Sequence, residues 1–404
     1  MKMRFLTLFL PVFILGACSE ETVPESGDGG SAPASSASPD LSSSTRSDAP
    51  EGMVLIAGGS YARGGAASEM GGDSASHQSA YPIHEVHVDA FWIDETEVTN
   101  REFGKFVEAT GYLTFAERPL PEARVRELKE DARRNLGRLE LMAARASGKE
   151  REEILAEMDR LREDSEVEML AGSMIFATPK GELSDPQDIS QWWTLVSAAS
   201  WRTPGGAGAT LEGREDHPVV NVTHEDATAY AKWAGKRLPT EAEWEKAARG
   251  GLERQLYTWG KEMFPKGETV WMANIWQGEW PHRNTEADGF FTTAPVKRFA
   301  PNGYGLYDMA GNVWEIVSDL YHPNAYALPS ATVPNPVGPS PQDARQAGAE
   351  VISFVTKGGS FLCSDLWCKG YQPGSRGQMD NESPSNHTGF RCVMDVGGVR
   401  GSRG

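Results

Sequence analysis

The sequence predicts an α+β fold with little regular secondary structure, interrupted by an inserted helical hairpin. Three observations carry that expectation. The 404 residues include 43 Gly, 25 Pro and 12 Trp with 39% hydrophobic residues, which describes a loop-rich body pinned by aromatic side chains rather than a helical bundle. Short helices announce themselves by a Thr with an acidic residue three positions later and a Gly at the far end. One long stretch, residues 122–168, combines dense charge with apolar residues at helical spacing. The length suffices for a real core. The net charge of −18 argues against a nucleic-acid partner, since phosphate binding needs clustered Lys and Arg that release counterions.

From the N-terminus, "MKMRFLTLFLPVFILGAC" sets Lys2 and Arg4 before an apolar run from Phe5 to Leu15 that is too short to span a bilayer, the pattern of a secretory signal. It ends in "LGAC", which resembles the lipobox of bacterial lipoproteins. That resemblance implies that residues 1–18 are a lipoprotein signal peptide and that Cys18 is lipidated as the mature N-terminus. Ser19 after it favours the outer membrane by the usual sorting rule, so the expected place is the bacterial cell envelope, lipid-anchored and facing the periplasm. More than one acyl chain suffices for stable anchoring. Residues 19–50 are mostly Ser, Ala, Pro, Gly, Asp and Glu with no aromatic, and read as a disordered tether of about 30 Å reach.

The folded domain is expected over residues 51–396, with 397–404 a C-terminal tail. "GMVLIAGGSY" reads as a short strand ending in a glycine turn, and "HEVHVDAFWID" as further strand. In "TNREFGKFVEATGY", Thr99 and Glu102 form a capping box, Phe103, Phe106 and Val107 share one face, and Gly111 ends the helix. Thr223 with Asp226 and Thr240 with Glu243 start two more helices, stopped by Gly235 and Gly250. Ala229, Tyr230, Trp233, Trp244, Ala247 and Ala248 are read as core. In the hairpin, Val125, Leu128, Leu136, Leu139 and Met142 lie on one arm, and Ile154, Leu155, Met158 and Leu161 on the other, with a break at Ser147 and Gly148.

Two of the four cysteines fall in "GGSFLCSDLWC", five positions apart. In an exported protein, Cys363 and Cys368 could form a disulfide. A zinc site would want two further Cys or His nearby, and the eight histidines are scattered. Two thiolates could also hold Cu(I), which prefers sulfur and tolerates few ligands. Spacing leaves the choice open.

The stretch "VTKGGSFLCSDLWC", with "GSRGQMDNESPSNHTGFRC" after it and "DHPVVNVTHEDATAYAKWAGKRLPTEAEWEKAARGG" and "ANIWQGEWPHRNTEADGFFTTAPVKRFAPNGYGLYDMAGNVWE" before it, closely resembles the formylglycine-generating enzymes, or sulfatase-modifying factors. The resemblance implies the sulfatase-modifying-factor (C-type-lectin-like) fold. It implies oxidation of a cysteine in a Cys-x-Pro-x-Arg segment of an unfolded sulfatase polypeptide to Cα-formylglycine, with molecular oxygen as co-substrate and Cu(I) on Cys363 and Cys368. Ser360 matches the family's active-site serine, and Trp314 is expected to wall the pocket. Two Ca2+ sites are implied as well. One takes Asn274 and Asp288 by side chain with the carbonyls of Ile275 and Phe290; the other takes Asp308 and Glu315 with the carbonyls of Gly311 and Val313. Mixed carboxylates and loop carbonyls suit a hard cation. A monomer is expected.

Departures from the family pattern bear on these expectations. Ala231 and Ala248 stand where structural cysteines occur elsewhere, so Cys392 is expected to be an unpaired, buried thiol. Asp308 replaces a common Asn, and the hairpin enlarges a shorter connection. Some relatives lack the cysteine pair, so the alternative function is a non-catalytic envelope lipoprotein that uses the domain for binding or assembly. The iron-dependent sulfoxide synthase branch is excluded, because no HxxxHxE-type spacing exists here.

Overall fold

The two apolar runs near the start of the folded region each divide into two strands. In the computed structural model, which describes residues 49–397 apart from 66–78, 150, 153, 157, 160–170, 180, 182, 184–187, 268, 347–351 and 366–367, the first run gives β1 (Met53–Ile56) and β2 (Gly59–Arg63). The second gives β3 (His84–Val88) and β4 (Phe91–Asp94). The chain therefore does not stop at the glycines after Ala57; it resumes as β2, antiparallel to β3, while β1 pairs with β4. The segment expected to be a signal peptide, with Cys18, nearly all of the expected tether, the hairpin region beyond residue 159 and the residues after 397 lie outside the described residues.

All three capping boxes form. Helix α1 (Asn100–Thr110) begins at Thr99, whose side chain and that of Glu102 satisfy each other's backbone amides, and closes at Gly111. The long helix α2 (Glu122–Ala143) makes the first arm of the hairpin, and the described residues from 148 to 159 are helical again. Ala143 and Met158 are buried, whereas Leu141, Met142 and Leu155 face solvent. The stems of this excursion meet: Ala171 N donates to Arg118 O and Gly172 N to Ala116 O, each at 2.9 Å. Strands β5 (Ser173–Phe176) and β6 (Trp193–Val196) then pair with each other. Helices α3 (His224–Trp233) and α4 (Glu241–Ala248) carry the remaining boxes.

The short hairpin β7 (Gly278–Glu279) and β8 (Arg283–Asn284) precedes the principal sheet. At its centre runs β9 (Trp314–Leu320), buried along almost its whole length. After the small helix α5 (Pro341–Gln346), β10 (Ser353–Lys357) pairs antiparallel with β9 and β11 (Gly377–Asp380) with β10. On the other edge, β12 (Thr388–Gly389) lies parallel to β9. Finally β13 (Val393–Asp395) adds to β4, so that the order β1–β4–β13 joins both ends of the domain in one sheet.

Phe103 and Phe106 of α1 pack with Tyr230, Trp201, Phe390 and buried Cys392. Trp244 of α4 packs with Phe91, Ile93, Val317, Val355 and Val393. Each such large side chain contributes about 1.5–3 kcal/mol when fully buried. Trp233 departs from the core expectation: it is 43% exposed at the end of α3, with its ring tilted against Phe106 and Tyr230.

Beneath α4 lies a buried ionic network. Glu241 accepts from Arg376 Nε at 2.6 Å and meets Arg63 at 2.8 Å, while Glu245 meets Arg249 at 2.7 Å and Lys357 at 3.3 Å. Burial alone would raise both carboxyls. Arg376, Arg63 and Lys357 overcome it at Glu241, which lies well below its ordinary value, and Lys357, Arg249 and Arg63 overcome it at Glu245, which sits at about 2.

Candidate active site

The two glycines that open "GGSFLC" leave β10 and turn the chain toward the cysteines. Gly359, at φ 71°, is in the left-handed region, and a Cβ on it would lie 2.5 Å from Tyr371 N; only glycine fits. Ser360, fully buried, follows, and its carbonyl accepts from Cys363 N at 2.9 Å. Cys363 and Cys368 are joined as a disulfide with their Cα atoms 5.2 Å apart. Cys368 (φ 80°) and Lys369 (φ 44°) also adopt the left-handed conformation, uncommon for residues with side chains. Cys363 is 1% exposed and Cys368 half-buried, so Cys368 is the member of the pair nearer the surface.

Around the pair stand Trp314, Tyr371, Ile275 and Ala310, with half-buried Tyr257, Trp259 and Trp271 on the outer side. Tyr257 and Trp259 stack at 5.0 Å, and Tyr257 stacks on Tyr371 at 6.2 Å. The Tyr371 hydroxyl donates to Asp365, which stands between the two cysteines in the sequence. As a donor set, two sulfurs from one loop in aromatic surroundings suit a soft monovalent ion once the disulfide is reduced. The side chain of Ser360 does two things: its Oγ accepts from Leu362 N at 3.2 Å and lies 3.1 Å from His387 Nδ1.

Both loops read as cation sites are hydrogen-bonded to the cysteine loop. In the first, Asp288 accepts from Ile275 N and Phe290 N, each at 3.0 Å, and from Gln277 Nε2 at 2.7 Å. Gln277 Nε2 also donates to Ile275 O. Asn274 Oδ1 is buried with no partner, an orphan that a cation would satisfy. Burial raises Asp288 to about 6 despite those hydrogen bonds. Next along the chain, Trp276 N donates to Cys363 O at 2.9 Å.

In the second loop, Gly311 N donates to Gly358 O at 2.8 Å and Phe361 N to Asn312 O at 2.9 Å. Asp308 accepts from Lys297 N and is raised by burial to about 6. Glu315 is otherwise engaged: Arg391 takes both its oxygens at 2.7 Å, and Trp244 Nε1 donates to one of them. Glu97, absent from the sequence-derived set, joins this group. It is fully buried, its Oε1 has no partner, and burial reinforced by Asp308 and Glu315 pushes its carboxyl well up. Three carboxylates facing the Arg391 guanidinium leave negative charge that a divalent cation would balance. Among the described residues no three His, Cys, Asp or Glu side chains converge as a ready-made metal site, so a cation here needs amide and carbonyl oxygens as well.

Asn312 ties the two loops together: its Nδ2 donates to Glu97 at 3.2 Å, and its Oδ1 accepts from Ala294 N at 2.8 Å and Asn274 Nδ2 at 3.2 Å. Sequence reasoning passed over Asn312, Glu97 and His387. Their only signals were an acid just before a helix cap in "ETEVTN" and single polar residues within "AGNVWE" and "SNHTGFRC". Cys392 is free and buried, and burial raises its thiol.

A domain of short elements built around a glycine-turned cysteine loop, buttressed by two acidic loops, defines a class in which irregular backbone carries the site. The chain belongs to the sulfatase-modifying factor, or formylglycine-generating enzyme, family: residues 37–396 match the Sulfatase-modifying factor enzyme 1-like domain. A formylglycine-generating enzyme of Streptomyces coelicolor is 40% identical over 92% of this chain and 97% of its own length. One of Mycobacterium tuberculosis is 37% identical, covering 85% and 97%. A Bos taurus relative named inactive C-alpha-formylglycine-generating enzyme 2 is 31% identical, covering 85% and 88%. Among solved structures, PvdO from Pseudomonas aeruginosa shares the fold with a TM-score of 0.51 and 19% identity over 85% of this chain and 94% of that one.

Proposed function

We propose that this protein matures sulfatases, oxidising one cysteine of a Cys-x-Pro-x-Arg segment in the unfolded polypeptide to Cα-formylglycine with molecular oxygen. The observation that carries the reading is the meeting of Cys363, Cys368, Ser360 and Trp314 around one glycine-turned loop, in a chain whose relatives are named formylglycine-generating enzymes. Reduced Cys363 and Cys368 would hold copper. When bound, it supplies the one-electron chemistry with oxygen that side chains lack.

The protein's own residues account for the rest. Trp314 and Tyr371 keep water from the inner sulfur, which strengthens polar interactions at the site. The stacked rings of Tyr257 and Trp259 offer an apolar wall to an extended peptide on the exposed side. Ser360 holds the turn and offers a hydroxyl beside the cysteine that follows it. Overall, the substrate CH2–SH group gives up two electrons and two protons to become a thioaldehyde. An external thiol reductant supplies a second electron pair, and oxygen leaves as two waters. Hydrolysis of the thioaldehyde yields the aldehyde and hydrogen sulfide.

Calcium in the two acidic loops would fix the cysteine loop through the Trp276–Cys363, Gly311–Gly358 and Phe361–Asn312 hydrogen bonds. A lipid on Cys18 and a tether to residue 50 would place a monomeric domain at the periplasmic face of the outer membrane, where it meets sulfatase chains before they fold.

The test incubates the reduced protein with Cu(I), oxygen, a thiol reductant and a Cys-x-Pro-x-Arg peptide, and follows conversion of thiol to aldehyde by mass spectrometry. Conversion is expected, and Cys363→Ser or Cys368→Ser should each abolish it. A copper-loaded protein that leaves the peptide unchanged would overturn the reading in favour of a binding lipoprotein.

A further inference from the structure

His387 is placed with more care than a loop histidine requires. Its backbone carbonyl accepts from Trp314 N at 2.9 Å, at the point where β12 joins β9. On one side Asn386 Oδ1 accepts from Phe176 N at 3.2 Å; on the other Thr388 Oγ1 and Ser385 Oγ share a hydrogen bond of 2.8 Å. The Trp193 ring lies 4.8 Å from the imidazole. Held this way, Nδ1 comes to 3.1 Å from the Oγ of Ser360, itself fully buried. The same backbone contact therefore registers the histidine to the tryptophan and to the serine of the cysteine loop.

The hydrogen-bond inventory around Ser360 fixes what this contact can be. Ser360 Oγ already accepts from Leu362 N, leaving one lone pair and one proton. The imidazole is half-buried, and its loss of hydration lowers it to about 3, so the neutral ring, with one nitrogen an acceptor, is the form favoured near neutral pH. With Nδ1 as that acceptor, the Ser360 proton is committed to the histidine, and the remaining lone pair of Oγ is left to accept from an incoming S–H.

We infer that His387 is a positioning residue for Ser360: its Nδ1 accepts the Ser360 O–H and so turns the serine's free lone pair toward the substrate thiol, holding and orienting that S–H as the substrate approaches the cysteine pair. This rests on the reading of the site given above. Ser360 and His387 both stay neutral, and neither takes up the thiol proton.

One arm of the test does not depend on activity. In metal-free, reduced protein with 15N-labelled histidine, the Nδ1 resonance of His387 should be that of an unprotonated, hydrogen-bonded nitrogen, and it should move when Ser360 is replaced by Ala. A protonated Nδ1, or a resonance indifferent to Ser360→Ala, overturns the inference whether or not the protein turns over peptide. The second arm is kinetic. His387→Leu should lower kcat for peptide conversion about 10–100-fold with KM and Cu(I) affinity nearly unchanged. His387→Asn, whose Oδ1 can accept at the same place, should restore most of the rate. The Ser360→Ala, His387→Leu double variant should be no slower than Ser360→Ala alone. Additive losses, or no rescue by Asn in a protein of unchanged melting temperature, count against a role through the serine. If the wild-type chain proves inactive, the functional reading falls and the resonance still decides the hydrogen bond.

Discussion

Gly370 leaves no room for a side chain against Trp314: a Cβ there would stand 2.4 Å from the indole carbons Cζ2 and Cη2. The tryptophan that walls the cysteine pair is thus seated directly on main chain just beyond the second cysteine.

Gly370→Ala should therefore displace the indole and open the inner sulfur to water. Overpacking of this kind costs about 1–3 kcal/mol. The expected result is a folded protein with a slightly lower melting temperature and a much reduced peptide conversion. Unchanged conversion would detach Trp314 from the chemistry.

The buried ions under α4 set the acid limit of stability. Glu241 and Glu245 have depressed folded values against an ordinary 4.5, so their contribution is present above about 4.5 and lost as pH falls toward about 2. Asp319 has the opposite sign. Burial, reinforced by Glu241, raises it to about 7, and stability tied to its protonated form is lost as pH rises from its ordinary value through 7. Glu241→Gln should cost about 3–5 kcal/mol at neutral pH by leaving Arg376 and Arg63 buried without a counter-charge. Asp319→Asn should flatten the stability slope between about pH 4 and 7. Urea unfolding across that range checks both.

Calcium removal should be visible as heat lability. If the acidic loops hold metal, a chelator lowers the melting temperature by several degrees and added Ca2+ restores it. Asn274→Ala, which deletes the orphaned oxygen, should abolish most of the shift, and because it also removes the Nδ2 hydrogen bonds to Thr292 O and Asn312 Oδ1 it should lower the melting temperature of the metal-free protein as well. Identical melting curves with and without chelator would remove calcium from both loops.

The hairpin stems are hydrogen-bonded to each other, so the excursion between them should be dispensable for folding. Replacing residues 121–168 by a short Gly-Ser link shortens a loop whose closure entropy changes only slowly with length. Such a variant should melt within a few degrees of the wild type. Its peptide KM then reports whether the hairpin touches the substrate.

What the sequence makes legible is local. Thr99, Thr223 and Thr240 each announce a helix because the cap and its acid lie within four residues, and all three form as read. The cysteine loop was equally visible, since its glycines, serine and sulfurs are contiguous. Partners brought from far along the chain were not. Glu97 lies 215 residues from Asn312, its hydrogen-bond donor, and no period or spacing links them. His387 approaches Ser360 only because β12 lies parallel to β9, a long-range pairing of two residues on each side. Trp233 was misread because helical periodicity identifies a face but not where that face runs past the edge of its neighbours.

The last strand has a consequence for how the chain comes into being. Val393 pairs with Ile93, Cys392 and Asp94 exchange hydrogen bonds, and Arg391 reaches the carbonyls of Asp94, Glu95 and Tyr307 as well as Glu315. The first sheet is completed by residues made long after its opening strands. A ribosome or a translocation channel that still holds the final stretch therefore holds an unfinished fold, and a deletion of only a dozen residues before the tail should undo what the first hundred began.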